Sequence, residues 1–317
     1  MHNANIKVKV TEAVQETPLV KRFKLVPLTG RLPWYSAGAH ITTYLQKQDE
    51  FLERHYSLAG NPRDRDSYTI AVRLSQQSRG GSEFWHTQVK AGDELEISHP
   101  KNHLPVSFEA RHHIFIAAGI GITPFMAMMA EMKAAGKSFE LHYAAASEQY
   151  CPFYSFIQSH YGEQAHFYFS SESKRMPTMV MWNQPIGSHV YFCGPEAMIT
   201  QFRQAAQSYG YPPSSIHFEL FTPPNQGPCH PFEVELTGSN IVLQVPEDRS
   251  LLDVLLEKGI EAPYSCKIGG CGSCEVEVEE GEVDHRDFFL SEQEKKKRNA
   301  MITCVSRAKS NRVSIRL

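Results

Sequence analysis

The sequence predicts a multidomain protein: an antiparallel β-barrel, then an α/β domain with a parallel sheet, then an α+β domain. Three observations lead to this prediction. The 317 residues exceed what a single hydrophobic core usually serves. Near residue 105 the apolar pattern changes from short strands to strands that alternate with helices. A segment rich in proline and glycine at 222–228 then precedes a block with five of the seven cysteines.

Residues 1–105 form the predicted barrel. Gly, Pro and Asp turns separate short runs rich in β-branched and aromatic residues. These runs lie at 6–10, 22–26, 40–45, 68–74 and 95–98. Closely spaced strands without intervening helices are typical of antiparallel pairing. We therefore expect an antiparallel barrel in this part of the chain.

Residues 106–225 form the predicted α/β domain. Apolar strands are expected at 113–118, 139–144, 166–169 and 189–193, and helical segments such as 196–209 alternate with them. The longest uncharged stretch, 114–130, is slightly short for a membrane span and contains glycine and proline in its middle. A strand, a turn and a helix explain it better, which favours a parallel sheet with crossover helices.

Residues 226–317 form the predicted third domain. The segments 232–236 and 240–245 are expected to pair as a hairpin. Ser250 with Asp253 then forms a capping box that starts a helix running to Glu257, and Ser291 with Glu294 repeats this pattern. The pattern therefore predicts a small α+β fold around the cysteines.

The cysteines of this last block predict a plant-type [2Fe-2S] cluster. Three thiols within nine positions and a fourth far downstream have the spacing of such clusters; they are Cys266, Cys271, Cys274 and Cys304. A structural zinc site usually has a second Cys-x-x-Cys pair, which is missing here. A disulfide framework is a weaker alternative because the cysteine number is odd and the chain opens without a secretion signal. The expected location is therefore the reducing cytoplasm.

Two elements of the barrel are suited to a phosphorylated ligand with a flat ring. Arg54-His55-Tyr56-Ser57-Leu58 places a guanidinium, an aromatic face and a hydroxyl along one extended segment, and we expect all three to face one ligand. Gly80-Gly81-Ser82 offers backbone N–H groups at the start of a helix. The alternative is that Tyr56 is an ordinary core residue of the barrel.

The net charge of −3 gives no basic field for nucleic acid.

Two further motifs predict a dinucleotide site. A buried strand runs into Gly119-Ile120-Gly121-Ile122-Thr123-Pro124, where Pro124 suits the first turn of a helix whose N–H groups can bind pyrophosphate. Cys193-Gly194-Pro195 follows the strand at 189–193. A nucleophilic Cys193 is a rival interpretation, although no His or Asn stands in a protease-like local context beside it.

Together these motifs resemble the phthalate dioxygenase reductase family. The resemblance rests on Arg54-x-Tyr56-Ser57-Leu58, Gly80-Gly81-Ser82, Pro100-x-Asn102, the glycine loop with Ala118 in place of the family's first glycine, Cys193-Gly194-Pro195 and the cysteine pattern. It implies an FMN domain at 1–105, an NAD domain at 106–225 and a β-grasp ferredoxin domain at 226–317. It also implies that Arg54 and Gly81-Ser82 hold the FMN phosphate, that Tyr56 packs on the isoalloxazine, and that Ser57 lies near its N5 edge.

The resemblance further implies how electrons pass. Cys193 would approach the nicotinamide, and Phe221 would cover the flavin, although simple core packing is the alternative for Phe221. Hydride would pass from NADH to FMN, and single electrons would pass through the cluster to a Rieske oxygenase acting on aromatic or quaternary-amine substrates. A cytochrome P450 or diiron monooxygenase is an alternative acceptor, and a redox-sensing flavoprotein is an alternative class. No membrane or nucleic-acid partner is expected, and a monomer suits a cluster that must stay exposed.

Overall fold

The computed structural model describes residues 5–47, 50–76, 80–224, 227–239 and 241–317. They form two compact units, Met1–Glu219 and Leu220–Leu317. The first unit contains two separate sheets, one on each side of the predicted domain limit at 105. The other predicted limit, Asn225, lies outside the described residues. Within the described ranges, no helix is long and apolar enough to cross a membrane.

The first sheet is antiparallel, as predicted. Its strands are β1 (Ile6–Thr17), β2 (Val20–Pro27), β3 (Ala39–Lys47), β4 (Glu50–Ser57), β5 (Tyr68–Arg73), β6 (Glu94–Ile97) and β7 (Lys101–Asn102), with helix α1 (Gly81–Thr87) before β6. The order is β4-β3-β6-β1-β2-β5, with β7 beside β3. Just beyond β4, the Ala59 N–H donates to the Thr69 carbonyl of β5 at 2.8 Å, which links the two edge strands into a barrel.

Alternating side chains fill the barrel. Along β1, Val8 and Val10 are fully buried while their neighbours are partly or fully exposed, and Phe23 and Ile41 are also fully buried on β2 and β3. This period of two places one face of each strand against the common core. The apolar pattern thus explains why this part of the chain closes into a barrel.

The second sheet is parallel. Its strands are β8 (His112–Ala118), β9 (Ser138–Ala145), β10 (Ala165–Phe169), β11 (Ser188–Cys193) and β12 (Ile216–Glu219), connected through α2 (Thr123–Ala134), α3 (Tyr154–Tyr161) and α4 (Glu196–Ser208). The order is β10-β9-β8-β11-β12. After β8 the chain adds β9 and β10 along one edge of β8, and it then returns to add β11 and β12 along the opposite edge of β8. A crevice therefore lies at the carboxyl ends of β8 and β11, where such sheets bind ligands.

The second unit is an α+β fold. Its strands are β13 (Phe232–Leu236), β14 (Ile241–Val245), β15 (Glu275–Glu280), β16 (Val283–Asp284), β17 (Ala300–Ile302), β18 (Arg307–Ala308) and β19 (Arg312–Arg316), with helices α5 (Leu251–Glu257) and α6 (Glu292–Lys297). The main sheet runs β14-β13-β19-β15-β17 and is mixed, because β13 and β19 are parallel. Both predicted capping boxes form, at Ser250 and at Ser291. The predicted hairpin also forms, while Asn240 lies outside the described residues.

Candidate functional site

The four predicted cluster cysteines lie as two pairs in the second unit. The Cys266 thiol donates a hydrogen bond to Cys271, and the Cys304 thiol donates one to Cys274. Within each pair the bond lowers the pKa of the accepting thiol, Cys271 or Cys274, and raises the pKa of the donating one. Among the residues that the structure describes, no three His, Cys, Asp or Glu side chains converge on one ion position. Two separate pairs suit two irons with two thiolates each.

The loop between these cysteines is shaped by its glycines. Gly269 and Gly272 adopt positive φ angles of 84° and 72°, which favour glycine. An added Cβ would lie 2.6 Å from the Phe288 ring at Gly270 and 2.3 Å from the Phe289 ring at Gly272. The loop therefore packs closely against these two rings, and the Ile268 N–H donates to Cys266 Sγ at 3.5 Å.

In the barrel, the structure brings the two predicted phosphate elements together. Arg54 lies on β4, and Gly81 is the first residue of α1. A Cβ on Gly81 would lie 2.3 Å from Arg54 Nε and 2.7 Å from its Cγ, so the arginine side chain crosses the start of the helix. Gly80 precedes the helix with a φ of 83°. The Ser82 hydroxyl accepts a hydrogen bond from the Ser75 N–H at 3.2 Å.

The other residues of the Arg54 motif divide between the two faces of β4. The pleat of the strand places Arg54 and Tyr56 on one face and His55 and Ser57 on the other, so the expectation that the hydroxyl shares a face with the guanidinium and the ring is wrong. The Tyr56 ring meets Trp85 edge-on at 5.8 Å, so Tyr56 does have a core contact. His55 Nδ1 lies 3.0 Å from the Thr42 hydroxyl, and Ser57 is buried at the end of the strand.

The predicted dinucleotide loop and the Cys193 loop meet at the crevice of the parallel sheet. A Cβ on Gly121 would lie 2.2 Å from the carbonyl oxygen of Cys193, and one on Gly194 would lie 3.1 Å from the Ala118 Cβ. Ala118 is extended, with a φ of −138°, so alanine fits there without strain. Only small residues allow the two loops to approach this closely.

The glycine loop leads through a 3₁₀ turn directly into the next helix. Gly119 has a φ of 54° and begins a 3₁₀ turn that runs directly into α2. No side chain caps α2, since the Thr123 hydroxyl donates to the Ile120 carbonyl at 3.0 Å, and Pro124 stands in the first turn as predicted. The helix dipole and the N–H groups at the start of the 3₁₀ turn, which no side chain caps, favour a phosphate in the crevice.

Cys193 and Glu219 end adjacent parallel strands and are paired in register. Cys193 is fully buried, and burial raises the pKa of its thiol well above the ordinary value, with a further contribution from Glu219. A thiol held neutral in this way is not an activated nucleophile, which disfavours the rival interpretation.

Glu219 was not among the predicted site residues. Burial raises the pKa of its carboxyl to about 8, and its Oε2 is buried without a hydrogen-bond partner in the part of the chain that the structure describes. A titratable group perturbed in this way beside a ligand crevice is a candidate functional residue. No predicted strand included this residue, because β12 (Ile216–Glu219) was not foreseen.

Replacing Glu219 by glutamine is expected to change how stability depends on pH. In the unfolded chain this carboxyl has its ordinary pKa of 4.5. Between pH 4.5 and 8 the carboxyl is therefore ionised in the unfolded chain but still protonated in the folded chain. Folding is therefore penalised increasingly over that interval, by roughly 3–5 kcal/mol at its upper end. The melting temperature of Glu219→Gln should exceed that of the parent at pH 8.5 and match it near pH 4.5. An equal difference at both pH values would contradict this.

Replacing Gly121 by alanine is expected to separate the two loops of the crevice. The new Cβ would meet backbone atoms of Cys193, which cannot rotate away, so overpacking should cost roughly 1–3 kcal/mol. Misplaced N–H groups should also raise the NADH concentration needed for half-maximal flavin reduction by about tenfold or more. Gly238→Ala is the control, because a Cβ there meets open space. Unchanged NADH dependence in Gly121→Ala would refute the assignment.

Two further features bear on the flavin and the nucleotide, namely the exposure of Phe221 and an ion pair beyond β10. Phe221 belongs to the second unit and its side chain is 43% exposed, so simple core packing does not describe it. Beyond β10, Lys174 Nζ forms a 2.8 Å ion pair with Glu172, and both side chains are exposed. The Glu172 carboxylate thus balances the positive charge of Lys174.

Family models match two parts of the chain. The model described as "2Fe-2S iron-sulfur cluster binding domain" matches residues 234–309. The model described as "Dimethylamine monooxygenase subunit DmmA-like, N-terminal domain" matches residues 98–216. The first match covers the paired cysteines, and the second covers the crevice of the parallel sheet.

Full-length similarities extend across the whole chain. The carnitine monooxygenase reductase subunit of Escherichia coli (strain K12) is 37% identical over 316 residues, covering 98% of each chain. The heme-dependent oxidative N-demethylase beta subunit of Ectopseudomonas mendocina (strain ymp) is 36% identical over 302 residues, covering 95% of this chain and 96% of the relative. A solved phthalate dioxygenase reductase superposes with a TM-score of 0.80 at 31% identity, covering 99% of this chain and 98% of the other.

The barrel, the nucleotide crevice and the ferredoxin-like unit define an electron-transferring oxidoreductase that uses a pyridine nucleotide, a flavin and a [2Fe-2S] cluster. The resemblance inferred from the motifs is confirmed by the full-length relatives. The chain belongs to the phthalate dioxygenase reductase family, the reductase components of oxygenase systems.

Proposed function

We propose that this protein takes electrons from NADH, passes them through FMN and the [2Fe-2S] cluster, and delivers them to a Rieske non-haem iron oxygenase. The observation that carries the proposal is the pairing of the four cysteines in the second unit together with an open nucleotide crevice in the first. A bound flavin would accept two electrons as hydride and release them singly, which connects a nicotinamide to a one-electron cluster.

Each cofactor is assigned to residues of this chain. Cys266 with Cys271 would bind one iron, and Cys274 with Cys304 the other, because the thiols are paired in this way. Arg54 and the N–H groups at Gly81 would hold the phosphate of FMN, since the guanidinium crosses the start of α1.

The NADH assignment is supported by the arrangement beyond β10. A ribose 2′-hydroxyl is recognised by a carboxylate, whereas a 2′-phosphate requires cationic side chains. Glu172 provides the carboxylate, and its ion pair with Lys174 reduces the positive charge available to a phosphate. We therefore infer that NADH is preferred, and that the nicotinamide end of the nucleotide reaches Cys193 at the crevice.

A second acceptor class has specific support. The relative from Ectopseudomonas mendocina is the beta subunit of a heme-dependent oxidative N-demethylase, and the crevice region matches the DmmA-like model of dimethylamine monooxygenase. A haem-containing demethylase is therefore the second candidate partner. The carnitine monooxygenase reductase relative supports a monooxygenase partner with a quaternary-amine substrate, since carnitine is a quaternary amine.

The test is an anaerobic NADH titration of purified protein followed by visible spectra, with iron counted and the flavin extracted for identification. Bleaching of flavin and cluster bands, with FMN in the extract, supports the proposal, while FAD or an unreduced cluster refutes it. NADH-driven turnover is then compared after adding carnitine monooxygenase oxygenase component or haem-dependent demethylase alpha subunit. Turnover with only the latter would replace the Rieske assignment.

A further inference from the structure

Tyr143 is a fully buried tyrosine behind the predicted dinucleotide loop. It lies on β9, where it is paired in register with Ala117 of β8. Its hydroxyl donates to the Gly119 carbonyl at 2.8 Å, and the Pro152 carbonyl is a second acceptor at 3.2 Å. Burial raises the pKa of Tyr143 well above its ordinary value, so the hydroxyl keeps its proton. The hydroxyl therefore remains a hydrogen-bond donor to the first residue of the loop.

This hydrogen bond orients the peptide between Gly119 and Ile120. A trans peptide is planar, and its carbonyl and its N–H point in opposite directions. Because the Gly119 carbonyl points at the buried hydroxyl of Tyr143, the Ile120 N–H points away from it. Ile120 is the second residue of the 3₁₀ turn, where an N–H has no acceptor within the turn. The Ile120 N–H is thus directed outward from the core at the loop that borders the crevice.

The glycine before this peptide does not hold the orientation by itself. Gly119 has a φ of 54°, and a Cβ there would meet nothing within 4 Å. Since glycine tolerates many backbone angles, the peptide that follows it can rotate and exchange the directions of its carbonyl and N–H. The next peptide is held separately, because the Ile120 carbonyl accepts from the N–H of Thr123 and, at 3.0 Å, from its hydroxyl. In the described part of the chain, Tyr143 is the side chain that hydrogen-bonds the Gly119–Ile120 peptide.

We propose that the Tyr143 hydroxyl is a positioning group for pyridine-nucleotide binding, because it aims the Ile120 N–H at the diphosphate of the nucleotide. The N–H groups at the start of this turn are the predicted phosphate donors, and a hydrogen bond to a charged oxygen is stronger than a neutral one. Tyr143 is buried behind the loop and acts through Ile120 rather than by touching the nucleotide. The inference rests on the proposed function and deepens it by naming what orients the phosphate site.

The test compares two hydride donors in Tyr143→Phe, which keeps the ring and removes only the hydroxyl. One donor is NADH, and the other is 1-benzyl-1,4-dihydronicotinamide, which carries no phosphate. With NADH, the concentration for half-maximal flavin reduction should rise by about tenfold or more, while the rate at saturation stays within about twofold of the parent. With the phosphate-free donor, the second-order rate constant of flavin reduction should stay within about twofold of the parent.

Tyr211→Phe is the matched control. The Tyr211 hydroxyl also donates to a backbone carbonyl at 2.8 Å, but that carbonyl belongs to Met181, outside the glycine loop. This variant should keep the parent dependence on both donors. Melting temperatures of the two variants, measured beforehand by circular dichroism, establish that both are folded at the assay temperature.

A second readout needs no turnover. ADP-ribose carries the diphosphate but lacks the nicotinamide, and calorimetric titration of the oxidised protein measures its affinity. The affinity of Tyr143→Phe for ADP-ribose should fall by the same factor as its affinity for NADH. In protein labelled with ¹⁵N-isoleucine, ADP-ribose should shift the Ile120 amide resonance of the parent and shift it less in the variant.

Failure of this inference is distinguishable from failure of the proposed function. If NADH does not reduce the flavin of the parent, the proposed function itself fails. If NADH reduces the parent, but Tyr143→Phe binds NADH and ADP-ribose as the parent does, the positioning role is wrong. An equal loss with NADH and with the phosphate-free donor would also overturn it, because a general disturbance of the domain does not distinguish a donor with phosphates from one without.

Discussion

Replacing Cys304 by serine is expected to remove the cluster and stop electron delivery to any one-electron acceptor, by a hundredfold or more. Cys304 is paired with Cys274, so its loss leaves the second iron with a single thiolate. Flavin reduction by NADH should remain within about twofold of the parent, because the nucleotide crevice and Arg54 lie in the other compact unit. Iron content, the visible spectrum and cytochrome c reduction measure the two outcomes separately.

Cys229→Ser is the matched control for this prediction. Cys229 is also a thiol of the second unit, yet it lies outside the cysteine loop and its sulfur accepts a hydrogen bond from Arg286 at 3.0 Å. This variant should keep two irons per chain and full electron delivery. Two irons retained in Cys304→Ser, or zinc in the parent protein, would refute the assignment of the thiol pairs.

The features that were predictable from sequence are those set by local chemistry. Period-two alternation identified barrel strands such as the one around Val8 and Val10, and the Ser250 and Ser291 capping boxes marked two helix starts. The glycine loop before Pro124 was recognisable because a strand, turn and helix each have local signals. Two-residue strands such as β7 and β16 carry no periodicity and could not be foreseen.

The features that were not predictable depend on register between distant strands. Glu219 meets Cys193 only because β11 and β12 pair in parallel in that register. His40 meets Ser57 only because β3 and β4 pair with that particular offset. The apolar pattern of one strand shows which of its faces is buried. It does not show which residue of another strand lies opposite. The residues that lie beside Cys193 and Ser57 could therefore be identified only from the structure.

Replacing Arg54 by alanine is expected to weaken FMN binding by about tenfold to a hundredfold. A hydrogen bond to a charged group contributes roughly 1.5–3 kcal/mol, and the guanidinium is the charged group placed across the start of α1. Fluorescence titration of the apoprotein with FMN measures the affinity directly. Arg22→Ala is the control, since Arg22 lies on the same sheet but pairs with Glu12 and Glu16. Equal FMN affinity in Arg54→Ala and the parent would remove Arg54 from the site.

Gly81→Ala tests the same site from the helix side. The added methyl group would overlap Nε and Cγ of Arg54, which belong to a flexible side chain and can move aside. The barrel should therefore stay folded while the guanidinium is displaced, and FMN affinity should fall by less than in Arg54→Ala. In the double variant the Gly81 change should add little, because the group that it displaces is already gone. Additive losses would instead mean that Gly81 contributes through its own N–H group, independently of Arg54.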